Sequence, residues 1–257
     1  RELFPMLVMG ILNVTPDSFS DGGEFNSLES AVAHGLAMIA EGADIIDIGG
    51  ESTRPGAIRI TEEEELSRVI PVVKELSLQG AVISIDTMRS GVARAAVDAG
   101  ATYINDVSGG LADPQMHHVV ADLGTKYILM HWRGHSVDMN SKAIYSDVVE
   151  EVKTELMDQV GKALAAGIAK EKIILDPGIG FAKESEHNWD LIRRITEIVD
   201  LGYPVLVGAS RKRFLGGDSP SEREVATLKI TEDLLATGIW GVRVHSVAPH
   251  KAVIARV

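Results

Sequence analysis

Cysteine is absent from all 257 residues, so disulfides, thiolate catalysis and cysteine-based metal sites are excluded. No apolar run approaches the roughly 20 residues of a membrane span. A basic face is missing as well: the net charge of −12 argues against contacts to nucleic-acid phosphates. Neither nucleic acid nor membrane is therefore expected as a partner. The chain has no H-E-x-x-H metal motif, no G-x-G-x-x-G after its first strand-like run, and no internal repeat of solenoid length. Its one low-complexity tract, the acidic run 62–65, reads as a solvated helix N-terminus favoured by the helix dipole. No charged-then-apolar leader precedes the first run, which makes the cytoplasm the expected location. The chain opens on Arg1 instead of Met and stops at Val257, soon after the expected eighth helix begins, so that helix reads as clipped.

Hydrophobic residues make up 45% of the chain, enough to bury one large core. They recur as short runs rich in Val and Ile at 7–14, 43–50, 81–87, 102–108, 126–132, 172–178, 204–210 and 240–246. Such runs read as strands, and the longer segments between them carry a helical period. Thr61 with Glu64 and Ser221 with Glu224 read as capping boxes, and Asp113-Pro114 as an N-cap followed by a proline at the first helical position. Eight alternations of strand and helix predict an α/β fold, a (β/α)8 TIM barrel, as a single domain over residues 1–257. In that fold the chemistry sits at the strand C-termini and the loops beyond them. A doubly wound open sheet is the structural alternative, and its glycine fingerprint is missing.

Each run ends at or just before a polar residue: Asn13, Glu51, Asp86, Asn105, His131, Asp176, Lys212 and His245. Against the acidic background, Arg54, Arg211, Lys212, Arg213, Arg243 and His245 gather at one rim of the expected barrel. A cationic rim near the seventh and eighth strands points to a small anion, phosphate or pyrophosphate. Strands three, four and six contribute the opposite chemistry through Asp86, Asn105 and Asp176. Two carboxylates and an amide, delivered by apolar strands, suit the edge of a flat heterocycle with several donors. Each also has a local reading: Asp86 as a cap for the helix near Arg89, Asp176 before Pro177 as a turn former, and Asn105 as a partner for loop backbone. His34, His117, His118, His187 and His250 fall on expected helices, with surface or capping roles, whereas His131 and His135 lie nearer the rim. The spaced apolar residues Val148, Val149, Val152, Leu156, Val160 and Leu164 read as core packing of one helix.

The segments Met9-Gly-Ile-Leu-Asn-Val-Thr-Pro-Asp-Ser-Phe-Ser-Asp-Gly-Gly23 and Gly49-Gly-Glu-Ser-Thr-Arg-Pro-Gly56 resemble the two opening signatures of the dihydropteroate synthases. Ile85-Asp-Thr87, Asn105-Asp-Val-Ser-Gly-Gly110, Met130-His131, Asp176-Pro-Gly-Ile-Gly-Phe181, Ser210-Arg-Lys212 and Arg243-Val-His245 follow in order and extend the match over nearly the whole chain. The stretch 208–216 is similar to actinobacterial members. The resemblance implies a transferase of folate biosynthesis that joins p-aminobenzoate to 6-hydroxymethyl-7,8-dihydropterin pyrophosphate and releases pyrophosphate. It implies catalytic roles for Asn13, Asp86, Asp176, Lys212, Arg243 and His245. Pterin contacts fall on Asp86, Asn105, Met130, Asp176, Gly208 and Lys212, and pyrophosphate contacts on Asn13, Thr53, Arg54, Arg243 and His245. Phe19, Thr53, Pro55, Phe181, Lys212 and Arg213 are implied for p-aminobenzoate. Mg2+ is implied on Asn13 and Asp21, with Asp17 as a further loop carboxylate, and the family's habit implies a homodimer.

Cleaving the carbon–oxygen bond to pyrophosphate requires no covalent enzyme intermediate, so neither a serine nor a lysine nucleophile is expected, and Lys212 reads as a contact instead of a Schiff base. One departure stands out: many relatives carry Ser after the Ser-Arg-Lys of strand seven, where this chain has Arg213, and the segment 216–220 is short. Three competing classes fit less well. A non-catalytic pterin-binding paralogue is expected to lose the first loop or the anion set. A methyltetrahydrofolate-binding methyltransferase domain has no reason for Ser-Arg-Lys plus Arg-x-His, and a phosphosugar lyase leaves both opening segments unexplained.

Overall fold

The structure is a computed structural model and describes residues 5–15 and 24–256. Eight parallel strands, β1 (Leu7–Asn13), β2 (Ile45–Gly49), β3 (Ile83–Asp86), β4 (Tyr103–Asp106), β5 (Lys126–Met130), β6 (Ile173–Asp176), β7 (Leu206–Val207) and β8 (Gly241–Val244), pair in the order β6-β5-β4-β3-β2-β1-β8-β7. A parallel bridge between Leu175 and Val205 joins the two ends. The sheet is thereby a TIM barrel, as the alternation of runs predicts.

The described helices are α1 (Glu24–Ala40), α2 (Glu62–Leu78), α3 (Ser90–Asp98), α4 (Met116–Leu123), α5 (Val148–Ala165), α6 (Ser185–Arg193), α7 (Ile195–Val199), α8 (Pro220–Leu234) and α9 (Val247–Ile254). Outward-facing strand residues such as Leu12, Ile48, Ile85, Ile104, Leu129, Leu175 and Val244 pack with buried helix residues including Val69, Val73, Val152 and Leu156 into one continuous core. On α5, Val148, Val149, Val152, Leu156 and Val160 are buried as the spacing predicts, while Leu164 is exposed.

Thr61 caps α2 by accepting from the Glu64 N–H, but the reciprocal half of the expected box is not made, because the Glu64 carboxylate pairs with Arg68 instead. The other two expected starts are corrected. The capping box of α8 is Ser219 with Glu222, not Ser221 with Glu224, because Pro220 takes the first helical position and fixes the cap one residue before it. Asp113 does not cap α4, which begins at Met116; its Oδ1 closes a local turn with the Gln115 N–H, and its Oδ2 accepts from the Ser90 N–H at the start of α3.

Inside the barrel, inward positions recur every second residue. Met9, Ile45, Tyr103, Ile128, Ile174 and Leu206 meet there, with Trp240 packed on them, and plug the lower half. Two residues further along, the inward positions become Asp47, Asn105, Met130, Asp176 and Gly208; Asp86 follows Ser84 and His245 follows Arg243 in the same phase. The strand period thus lifts a polar layer directly above an apolar floor.

Candidate active site

The polar layer is built from strand ends and is almost sealed from solvent. Asp47, Asn105, Asp176 and Asp86 are exposed by only 1%, 2%, 5% and 8%. Asp86 and Asn105 are register partners across β3 and β4, and Met130 and Asp176 across β5 and β6, which brings the three residues predicted for a heterocycle into one chamber. None of the three is spent on the local role that competed for it, except in part Asp176. Thr87, not Asp86, receives the Arg89 N–H at the start of α3. Asp176 Oδ1 does accept the Gly178 N–H at 2.8 Å, while no described residue bonds its Oδ2. The Asn105 amide nitrogen donates to Asp47 Oδ2 at 3.1 Å, leaving its Oδ1 buried without a protein partner.

Asp47 is the residue missed in reading the sequence. Its Oδ2 also accepts from Arg243 Nε at 2.6 Å, and the same guanidinium reaches Asp86 Oδ2 through Nη2 at 3.1 Å. Burial, reinforced by the neighbouring Asp47 carboxylate, holds the Asp86 carboxyl above its ordinary range, and Arg243 opposes that shift. Burial likewise raises Asp176, against the Gly178 N–H and the charges of Lys212, Arg243 and Lys183. Buried acids and unpartnered acceptors favour a ligand that brings hydrogen-bond donors.

Lys212 stands opposite. Its ammonium donates to the Ile179 carbonyl and lies 4.8 Å from the Phe181 ring centre. Burial pulls it down to about 8, opposed by Asp176. Gly208 leaves the wall between Arg243 and Lys212 bare, since a Cβ there would stand 3.8 Å from Arg243 Cβ and 3.9 Å from Lys212 Nζ. Met88, Val107 and Met130, with Trp132 and Phe181 packed on them, form an apolar flank.

At the rim, His245 shares its Nδ1 with Ser210 Oγ at 2.8 Å, and that hydroxyl accepts the His245 N–H. Burial first, then Arg243 and Arg211, pull the imidazole down to about 3, so at neutral pH it is an uncharged ring. The Arg-Lys-Arg run does not act as one patch. Arg211 sits at φ +56 and is held by Glu224 and Ser246, whereas Arg213 is exposed in the short turn Arg213–Leu215. Arg54 and Pro55 are exposed and Thr53 half-buried on the loop after β2, which is anchored by Glu51 to Arg59 and Ile60 and by the Gly56 N–H to the Ser136 carbonyl. Asn13 ends β1 with an exposed side chain. Phe19, Asp17 and Asp21 lie outside the described residues.

His131 is buried and turned away from the chamber, its Nδ1 2.8 Å from Lys183 Nζ and its Nε2 3.5 Å from Glu155. His135 packs edge-on against Trp132. The helix histidines do local work, such as His187 capping α6 and His250 bonding Thr231. Among the described residues no group of three or more metal-ligating side chains gathers.

The chain matches the pterin binding enzyme family over residues 9–245. It is 52% identical to the dihydropteroate synthase of Mycobacterium leprae (strain TN), over 96% of this chain and 90% of that one. The structure of the Xanthomonas albilineans dihydropteroate synthase with 4-aminobenzoic acid superposes with a TM-score of 0.93 at 44% identity, covering 99% of this chain and 92% of the other. The same enzyme in complex with 7,8-dihydropteroate gives 0.89 at 40% identity, covering 100% and 94%. With a buried, acid-lined chamber that Arg243 and Lys212 enter and a match that runs from the first strand to the last, the chain belongs to the pterin binding enzyme family, among the dihydropteroate synthases of folate biosynthesis.

Proposed function

We propose that the polar layer is where this transferase condenses 6-hydroxymethyl-7,8-dihydropterin pyrophosphate with p-aminobenzoate to give 7,8-dihydropteroate and pyrophosphate. The observation that carries the reading is the convergence of Asp86, Asn105 and Asp176 with Lys212 above the apolar floor. Asp86, Asp176 and the free Asn105 Oδ1 would accept from the N–H edge of the pterin, Lys212 would donate to its carbonyl side, and Met130 and Gly208 would lie on its faces.

The hard event is loss of pyrophosphate, which builds positive charge on the pterin methylene and negative charge on the departing oxygen. Preorganised charge at both ends lowers that barrier. The buried carboxylates favour the electron-poor pterin. Arg243 Nη1, the guanidinium nitrogen not bonded to Asp47 or Asp86, would donate to the leaving group together with the neutral His245 and the exposed Arg54. The amine of p-aminobenzoate then attacks from a pocket assigned to Phe19, Thr53, Pro55, Phe181, Lys212 and Arg213. No side chain is required as a nucleophile.

Magnesium, when bound, supplies charge neutralisation on the pyrophosphate. The donor set fits it: the exposed Asn13 amide offers one neutral oxygen, and Mg2+ favours one or two protein oxygens with phosphate and water completing its shell. Asn13 is the proposed ligand, and the family resemblance adds Asp21, which lies outside the described residues. Family resemblance supports a homodimer and a cytoplasmic location, and residues 1–257 are proposed as one domain.

The test is incubation with the dihydropterin pyrophosphate and labelled p-aminobenzoate, with and without magnesium, following dihydropteroate by chromatography. Magnesium-dependent product is expected. A folded protein that binds pterin but makes no product would instead be the non-catalytic paralogue.

A further inference from the structure

The loop between β6 and α6 is held in conformations that side chains resist. Gly178 lies at φ +73, Gly180 at +83 and Ala182 at +50. A backbone of this kind persists only where its surroundings over-determine it. Here they do: the Gly178 N–H bonds Asp176 Oδ1, the Gly180 N–H bonds Asn188 Oδ1 at 2.7 Å, and the Ala182 carbonyl accepts from the Tyr145 hydroxyl at 2.9 Å.

The Phe181 N–H closes a turn on the Gly178 carbonyl at 3.0 Å, Lys212 bonds the Ile179 carbonyl, and three further ties come from one buried cation. Lys183 Nζ donates to the Gly178 carbonyl at 3.0 Å, to the Phe181 carbonyl at 2.9 Å and to His131 Nδ1 at 2.8 Å. Three donors meet three acceptors, and the side chain is nearly closed off from solvent. The loop is also pressed against the end of β5, because a Cβ on Gly178 would come within 2.5 Å of the His131 carbonyl oxygen.

Two features of the chamber hang from this loop. The Phe181 ring is one, and the Ile179 carbonyl that receives the Lys212 ammonium is the other. Asp176, by contrast, is held by the β5–β6 ladder itself. We propose that Lys183 is a positioning residue for p-aminobenzoate: by holding the loop at the Gly178 and Phe181 carbonyls, it sets the Phe181 ring. The inference rests on the reading of Phe181 as a p-aminobenzoate contact.

Lys183→Met keeps the bulk and strips the donors, leaving the Phe181 carbonyl and the His131 ring nitrogen without partners and the Gly178 carbonyl with the Phe181 N–H alone, so that the loop moves to find others. In steady-state kinetics its KM for p-aminobenzoate should rise roughly tenfold, as expected for loss of one or two hydrogen bonds' worth of organisation, while the KM for the pterin pyrophosphate moves less than about threefold. Phe181→Ala is measured alongside. An unchanged p-aminobenzoate KM in Phe181→Ala overturns the pocket assignment, and the proposal with it. A raised value there with an unchanged one in Lys183→Met overturns the positioning role alone. Equal losses toward both substrates would make Lys183 a purely structural cation and also overturn it. If the Met variant does not fold, Lys183→Gln, which keeps one donor, decides by the same split with a selective rise of roughly threefold.

Discussion

Asp176 offers two oxygens with different duties, and that division makes a sharp mutational test. Oδ1 holds the turn through the Gly178 N–H, and Oδ2, which no described residue bonds, is the oxygen proposed to meet the pterin. Asp176→Asn can keep the first duty, since an amide oxygen accepts the same N–H, but it presents an NH2 donor where the pterin needs an acceptor. A charge-assisted hydrogen bond contributes on the order of 1.5–3 kcal/mol, so losing the one made by Oδ2 weakens pterin binding roughly 10- to 150-fold. Placing donor against donor pushes the result toward the upper end. Calorimetric titration with 6-hydroxymethylpterin, which lacks pyrophosphate, isolates this term, and a thermal melt checks that the turn survives. A variant with an unaltered melt that binds pterin within about threefold of the parent would refute the placement of Oδ2 against the heterocycle.

Three further outcomes follow from the geometry. Gly178→Ala forces a side chain into a left-handed backbone and against the His131 carbonyl at 2.5 Å, whereas Gly124→Ala, at φ +62 with nothing within 4 Å, meets only the conformational penalty of about 1–2 kcal/mol; denaturant titration should show the first to be clearly more destabilising, and equal losses would refute the close approach. His131 is pulled from an ordinary 6.5 to about 3 by burial and by Lys183, so between those values the unfolded chain takes up a proton that the folded one refuses, and stability falls as pH falls. From pH 6.5 to 5 this contributes about 2 kcal/mol of loss that His131→Gln should not show, and an identical pH dependence in both proteins would count against it. Asn13→Ala should raise the magnesium concentration needed for half-maximal turnover and leave 6-hydroxymethylpterin affinity unchanged; an unaltered magnesium response removes its proposed ligand role.

The barrel and three of its chamber residues were legible because one rule produces both. A strand that is apolar on both faces must stop being so where it leaves the core, and the first polar residue in the inward phase then points into the mouth. Asp86, Asn105 and Asp176 obey this. Asp47 escapes it because it ends nothing: it sits inside Ile45-Ile46-Asp47-Ile48, with apolar residues on both sides. The available signal was energetic, since a carboxylate among isoleucines needs a buried partner, and only the fold reveals that the partner is Arg243, nearly 200 residues away. The Arg211-Lys212-Arg213 run misleads for a different reason. The chain turns sharply through φ +56 at Arg211, so neighbouring side chains leave in different directions and only Lys212 enters the chamber. The α8 cap, by contrast, was decidable in advance: two S-x-x-E frames overlap, and Pro220 at the first helical position selects Ser219.

Acids and cations share the buried layer of this barrel. Asp47, Asp86 and Asp176 lie in the buried layer, Arg243 and Lys212 lie among them, and His245 and Arg54 stand toward the mouth. Removing Arg243 alone leaves Asp47 and Asp86 facing each other without their shared cation, a cost that belongs to folding before it belongs to catalysis. On the proposed reading, the same arrangement gives the arginine its use in the reaction. A guanidinium already fixed by two carboxylates need not reorganise as charge separates, and it stands between the acids that favour an electron-poor ring and the rim that receives an anion. The bond that breaks joins those two regions. A fold that places acids one strand repeat above an apolar floor, with Arg243 and Lys212 already fixed among them, therefore has its electrostatics set before any substrate arrives.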